Sequence, residues 1–303
     1  MSEENALRPG TLLRGVGGFY TVVDREGDLF TLRPRKKFRR MKLTPLPGDE
    51  VLFIPGDGEE AGRECDGWIE EILPRKTLSL RPPVANVTCL ALVLAPVPEP
   101  DLLLADRLIS RAAAQGIRVV IAAGKADLGG NLARELAEQY APAGIPVYPV
   151  SAVTGEGIQD LKKALEGDIC CMAGQSGVGK SSLLSVLLNR PLETGEISRR
   201  ISRGKNTTRH GELLIGEGLR VMDTPGFSLL EAEKNLPPEK LKERYPEFLP
   251  LEGKCRFREC LHDREPGCAV SRAAEEGAIS PARLERYREL LREIREEWSR
   301  RYD

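Results

Sequence analysis

Gly174-Gln175-Ser176-Gly177-Val178-Gly179-Lys180-Ser181 carries the spacing GxxxxGK[ST], a pattern suited to holding phosphate. Its glycines let backbone N–H groups turn inward. Lys180 adds positive charge at the β and γ phosphates, and the N-terminus of the following helix adds its dipole. Ser181 is a Mg²⁺ ligand in this reading, and Ser182 extends the phosphate-binding set. An apolar strand over 169–173 precedes the motif and a helix over 180–188 follows it, the context that such a loop needs. Downstream, Asp223 ends a hydrophobic strand in Asp223-Thr224-Pro225-Gly226. Its carboxylate is placed to hold the Mg²⁺ shell, and the Gly226 N–H to meet the γ phosphate. In Thr207-Thr208 the second threonine is expected to close over Mg²⁺, with Thr207 as the alternative. Lys180, Thr208 and Gly226 are therefore candidates for stabilising charge during phosphoryl transfer.

A base-reading site is the next requirement, and its candidates lie upstream. Gly124-Lys125-Ala126-Asp127 ends one buried strand, and Ser151-Ala152 ends another. An Asp in this position pairs with the guanine N1–H and exocyclic amine, which adenine cannot match, while Lys125 packs along the base. Gly124 stands where Asn is expected. Losing that amide should cost affinity more than specificity, because Asp127 carries the discrimination. The order of motifs, base before phosphate, is that of a GTPase cut open and rejoined, a circular permutation. The second switch then leads straight into the C-terminal segment, so nucleotide state can pass to whatever follows Phe227.

Cys255-x4-Cys260-x-His262-x5-Cys268 offers three thiolates and one imidazole, and the chain has only two histidines in all. That set suits a closed tetrahedral Zn²⁺ of structural role, since four protein ligands leave no open position. Cys65, Cys89, Cys170 and Cys171 lack such spacing and read as core residues. Arg33-Pro-Arg-Lys-Lys-Phe-Arg-Arg-Met-Lys42 holds seven basic residues and no acidic one. Arg33, Arg35, Lys36, Lys37, Arg39 and Arg40 are candidate RNA contacts, with Phe38 as a stacking surface; a solvated hairpin without a partner is the competing reading.

The elements that must position these groups follow from hydrophobic pattern. Short alternating segments at 18–23, 29–32, 49–54 and 67–72 predict a small β-barrel of the OB type. Pro82-Pro83 reads as a linker. Beyond it, strands at 87–94, 118–123, 147–150 and 169–173 alternate with helices at 101–115, 131–140, 157–166 and 180–188. Strands at 212–215 and 219–222 complete a mainly parallel sheet with helices on both faces. The charged remainder is helical around the Cys/His cluster, and its last helix opens at Ser280-Pro281. Its stripe of Leu284, Tyr287, Leu291, Ile294 and Trp298 is expected to dock on the protein's own body. The expected fold is multidomain α/β: barrel over 1–82, permuted P-loop GTPase domain over 83–231, helical zinc-binding domain over 232–303. The net charge of −1 over 303 residues confines any polyanion binding to local patches. With no long apolar run and a cysteine pattern suited to a reducing compartment, a soluble cytoplasmic protein without membrane partners is expected.

Taken together, the barrel, the permuted motif order, GQSGVGKSSL, DTPGF and the Cys-x4-Cys-x-His-x5-Cys cluster resemble the ribosome small-subunit-dependent GTPase A family (RsgA, also called YjeQ) over nearly the full chain. That resemblance implies a GTPase stimulated by the small ribosomal subunit and acting late in its maturation. GTP/GDP, Mg²⁺ and one structural Zn²⁺ would be its ligands, and its barrel and zinc domain would contact ribosomal RNA. We expect it to act as a monomer. The family's first switch usually carries a His before the paired Thr, proposed to position the attacking water; here Asn206 takes that place. Phe227 stands where a Ras-like enzyme has its water-orienting Gln. Asn206 can hydrogen-bond a water but is no effective base, and His210 is expected to face elsewhere. Very slow intrinsic turnover is therefore expected, with the ribosome completing the site. The alternative is a GTP-gated ribosome- or RNA-binding factor with little or no hydrolysis.

Overall fold

The computed structural model describes residues 6–60, 63–80, 83–191, 211–223 and 236–300. Two compact units emerge, one of Met1–Thr88, Glu166–Cys171 and Glu193–Phe227, the other of Cys89–Leu165, Met172–Leu192 and Ser228–Asp303.

In the first unit, β1 (Arg8–Val16), β2 (Phe19–Asp24), β3 (Leu29–Pro34), β4 (Glu50–Glu60) and β5 (Arg63–Ile72) close a barrel in the order β1-β2-β3-β5-β4. All pairs are antiparallel except β3 with β5. Alternation sends Leu12, Val22, Leu32, Val51, Phe53 and Ile69 inward, each fully buried. Gly10 is needed in β1 because a Cβ there would lie 2.6 Å from Val22 Cγ1 and 2.8 Å from Val23 O. The basic run is no hairpin: residues Lys36–Arg40 form a short helix, α1. Phe38 drops into the barrel core at 4% exposure. It cannot offer its ring to a base, which corrects the stacking role expected of it. Pro83 likewise begins a strand rather than a linker, as β6 (Leu78–Leu80) pairs with β7 (Pro83–Ala85).

A six-stranded sheet runs in the order β10-β9-β8-β11-β13-β12. Its strands are β8 (Cys89–Leu94), β9 (Arg118–Ala123), β10 (Val147–Pro149), β11 (Ile169–Ala173), β12 (Glu212–Gly216) and β13 (Leu219–Asp223). The β8–β9, β9–β10 and β11–β13 pairs are parallel, and β12 is an antiparallel edge. Every residue of β8 is buried, as a parallel strand covered on both faces requires. Helices α2 (Leu102–Ala114), α3 (Leu132–Tyr140), α4 (Ile158–Leu165) and α5 (Lys180–Leu187) alternate with the strands. The Asp101 side chain caps α2 by accepting from the Leu104 N–H at 2.8 Å.

The C-terminal part of the second unit strings 3₁₀ turns at Pro238–Lys240, Lys242–Arg244 and Pro246–Leu251 before α6 (Ala269–Glu275) and α7 (Pro281–Ser299). Helix α7 starts as its sequence suggests, with Ser280 accepting from the Arg283 N–H and Pro281 in the first turn. Leu284, Tyr287 and Leu291 bury its stripe against Tyr245, Phe248, Val270 and Ala273. Trp298, at the end of that stripe, is only half-buried. Arg283 is the departure: this arginine is 1% exposed, donating to Asp106 on α2 and to Glu247. Its guanidinium lies 4.8 Å from the Tyr140 ring centroid and 4.9 Å from that of Tyr245. Arg286 adds a second contact to Asp106 at 2.5 Å. Among the described residues, no helix is long and apolar enough to cross a membrane.

Candidate functional site

The phosphate loop joins β11 to α5, and its glycines are dictated by space. Gly174 has φ of +140°, and a Cβ there would lie 2.2 Å from Val93 O on the neighbouring β8. Gly177 and Gly179 also take positive φ, the latter as the N-cap of α5. Val178 is buried and anchors the loop, while Ser176 and Ser182 are exposed and Ser181 is half-buried. Lys180 folds back so that its Nζ donates to Gly174 O at 2.8 Å and Gln175 O at 2.6 Å. Burial holds its ammonium below the ordinary lysine value. Phosphate oxygens at the loop would favour the charged form again.

The base-reading residues come to this loop from β9 and β10. Gly124 N–H donates to Leu94 O at 2.7 Å and Ala126 N–H to Val150 O at 3.1 Å, which fixes the turn between them. Lys125 takes a left-handed φ of 57° and sends its Nζ to Gly177 O at 2.9 Å and Val97 O at 2.6 Å. Ser151 is fully buried and donates from Oγ to Asp127 Oδ1 at 2.5 Å, aiming a carboxylate that is itself exposed. The same Oγ accepts from the Val153 and Thr154 N–H groups. Ala152 follows half-buried. Gly124, Lys125, Asp127, Ser151 and the residues 174–182 thus meet in one unit, although Ser151 precedes Gly174 by 23 residues and Gly124 precedes it by 50. Gly124 has room: a Cβ built on it would be 3.5 Å from Val178 O and Leu94 O, in ordinary contact.

Asp223 ends β13, as its reading requires. Its side chain lies outside the described residues, as do Asn206, Thr207, Thr208, His210, Thr224, Gly226 and Phe227.

The Cys/His cluster assembles as its spacing suggests. Cys255, Cys260 and Cys268 Sγ lie 3.7, 3.6 and 3.4 Å from His262 Nδ1, and all four donor atoms fall within 4.8 Å of one another. Tetrahedral zinc, with bonds of about 2.3 Å to sulfur and about 2.1 Å to nitrogen, sets sulfur–nitrogen separations near ~3.6 Å. The donor set fits that ion. Burial, and then the charge of Lys242, pulls His262 down to about 4, which keeps the imidazole neutral as ligation needs. Burial pushes the Cys260 thiol up, with the charge of Cys268 adding to the effect: crowded thiolates call for a cation. Ala269 N–H and Ser271 N–H donate to Cys255 and Cys268 Sγ. The surrounding shell fixes the loop. Glu265 accepts from the Leu261 and Asp263 N–H groups, Tyr287 Oη donates to Leu261 O at 2.6 Å, and Arg288 Nε to His262 O at 3.2 Å.

Between two of these ligands sits a feature that sequence reading passed over. Phe257 is 46% exposed, with the Arg256 guanidinium 5.6 Å from its ring centroid and Lys254 and Arg258 exposed beside it. The signal was there to read, an aromatic set among basic residues inside a metal loop. On the barrel, Arg35 is paired with Glu70 at 2.5 Å and lies over Trp68, Lys37 shares Glu70 at 3.6 Å, and Arg33 lies over Phe19. Lys36, Arg39 and Arg40 are exposed on α1.

Comparison with known proteins agrees with this geometry. Residues 72–233 match the RsgA GTPase family and residues 9–62 the RsgA N-terminal domain. A protein of Ruminiclostridium cellulolyticum named small ribosomal subunit biogenesis GTPase RsgA is 43% identical over 294 residues, covering 96% of this chain and 95% of its own. One of the same name from Moorella thermoacetica is 44% identical over 291 residues, covering 94% and 97%. Among solved structures, YjeQ from Thermotoga maritima superposes with a TM-score of 0.79 at 35% identity, covering 95% of this chain and 99% of that one. YloQ, described as a circularly permuted GTPase, gives 0.79 at 32% identity and 98% coverage of both.

Proposed function

This chain belongs to the RsgA GTPase family, and from that membership we propose that it hydrolyses GTP on the small ribosomal subunit during late maturation of that particle. It is a permuted GTPase, and the observation that carries the site assignment is the joining of its two halves. Lys125 of the base-reading turn bonds Gly177 of the phosphate loop, while Ser151 aims Asp127 outward. Asp127 discriminates guanine, Lys125 and Ala152 line the base, and residues 174–182 hold the phosphates. When bound, Mg²⁺ supplies charge neutralisation at the β and γ phosphates, and Ser181, Asp223 and Thr208 would hold it. Lys180 and the Gly226 N–H stabilise the charge that grows on the transferred phosphoryl group, and Asn206 orients the attacking water. The Cys255, Cys260, His262 and Cys268 set holds one structural Zn²⁺, which fixes the C-terminal loop.

Contact with ribosomal RNA falls to two charged surfaces. Arg33, Arg35, Lys36, Lys37, Arg39 and Arg40 meet phosphates on the barrel. Phe257, with Lys254, Arg256 and Arg258, takes the stacking role that Phe38 cannot. The working division is barrel over 1–82, GTPase domain over 83–231 and zinc-binding helical domain over 232–303, acting as a cytoplasmic monomer.

The test is phosphate release from GTP with and without purified small ribosomal subunits, with Lys180→Ala as the blank and ATP as competitor. Slow basal turnover strongly stimulated by subunits is expected, with ATP competing poorly. Gly124 and Asn206 favour a second reading, a nucleotide-gated binding factor, and subunit binding that depends on GTP without stimulated turnover would select it.

A further inference from the structure

The missing Asn at Gly124 poses a physical problem. A nucleotide spans two subsites, and its affinity depends on their being held at a fixed separation before it arrives. An amide at position 124 would reach the phosphate loop, because a Cβ there already lies 3.5 Å from Val178 O. Glycine offers no such fastening. The structure holds a different one.

The first residue after Gly174 turns its side chain away from the loop it belongs to. Gln175 Oε1 accepts from the Asp101 N–H at 2.9 Å, and Gln175 Nε2 donates to Glu99 O at 3.1 Å. Both partners are backbone groups of the segment 97–101 that leads from β8 into α2. Lys125 grips the same segment through Val97 O at 2.6 Å. Pro98 Cδ comes within 3.7 Å of a Cβ built on Gly177. Asp101, at the far end of this segment, caps α2 and so ties it to a rigid element. One short brace therefore receives a side chain from the phosphate loop and another from the base-reading turn.

We propose that Gln175 is a positioning residue of the nucleotide site. Its amide fastens the phosphate loop to the 97–101 brace that Lys125 also holds, and so supplies the alignment of the two subsites that Gly124 leaves open. This rests on the reading of the site as a guanine-nucleotide site. Gln175 acts through backbone and Lys125; it need not touch the nucleotide. Gln175 belongs to the phosphate loop through its backbone, while its side chain, turned to Glu99 and Asp101, holds the other groups in register.

The experiment is a double-mutant cycle on nucleotide affinity, with fluorescent GDP and a non-hydrolysable GTP analogue as probes. Gln175→Met keeps the length of the side chain and removes both hydrogen bonds. In the native background it should weaken binding by about tenfold. Gly124→Asn supplies the alternative fastening, and once it is in place the same Gln175→Met change should cost only about twofold. Melting temperatures of all four proteins should lie close together, separating alignment from folding. Inorganic pyrophosphate, which occupies one subsite only, should bind the native and Gln175→Met proteins alike. An equal loss in both backgrounds would overturn the proposal, and so would a matching loss of pyrophosphate affinity. A native protein that binds neither GDP nor the analogue would instead overturn the site reading beneath it.

Discussion

Replacing Arg283 by methionine should destabilise the second compact unit far more than any exposed arginine would, and the structure says where the cost falls. Arg283 is 1% exposed and serves both Asp106 and Glu247. Without it, Asp106 keeps Arg286 at 2.5 Å and the Tyr140 Oη donor at 2.9 Å. Glu247 is worse placed. It is 5% exposed, and its second oxygen already has no hydrogen-bond partner among the described residues. Stranding one buried charge in this way costs roughly 3–5 kcal/mol. Removing both charges in Arg283→Met/Glu247→Leu leaves Asp106 compensated and the pocket apolar, so the double variant should lose no more than about 1 kcal/mol. The second change should therefore recover about 2–4 kcal/mol of what Arg283→Met alone loses. Urea unfolding followed through Trp298 in a Trp68→Phe background reads this on α7 itself, and Arg283→Met should move the midpoint by about 1–1.7 M at a slope near ~3 kcal/mol per M. A loss under about 1 kcal/mol for the single variant would refute the reasoning, as would a double variant no better than the single.

Alkaline pH offers a second handle on the same unit. Burial raises the phenols of Tyr140, Tyr245 and Tyr287, with the charge of Asp106 adding to the first two. Because the unfolded tyrosines lose their protons near pH ~10 and the folded ones later, stability should be intact below that point and fall as pH climbs past it. A melting temperature unchanged between pH 9 and 11.5 (roughly the accessible range around the tyrosine value) would count against this packing. The metal site can be checked by elemental analysis: native protein purified without chelator should carry one zinc per chain, and Cys260→Ser should carry none and melt at lower temperature. Zinc absent from the native protein, or retained by the variant, would dismiss the four-ligand site.

Much of this was legible because the deciding interactions are local. The strands at 118–123 and 169–173 and the cap at Ser280 depend on a few neighbouring residues, and they stand where pattern places them. What escaped reading depends on partners remote in the chain. Strand β1 is not among the expected strands because Pro9, Gly10 and Gly15 interrupt its alternation, yet both glycines serve close approach: a Cβ at Gly15 would lie 2.6 Å from the Tyr20 ring. Phe38, ringed by charge, reads as exposed until the barrel closes over it. Arg283 looks like one more polar residue on a charged helix, since its partner Asp106 lies 177 residues away. The bracing role of Gln175 is equally silent, because its partners are backbone atoms that any sequence would provide.

The burial of Phe38 has a wider meaning for the charges around it. A basic loop in solution is a loose polyelectrolyte, and whatever it binds must first freeze it. Here a single ring rivets α1 to the barrel, so Lys36, Arg39 and Arg40 stand on a stiff mount before any anion arrives. The entropy of ordering is spent during folding, not at encounter. In the RNA-binding role we propose for it, such a surface would act as a template that tests the spacing of incoming charge, where a mobile tail would accept any polyanion.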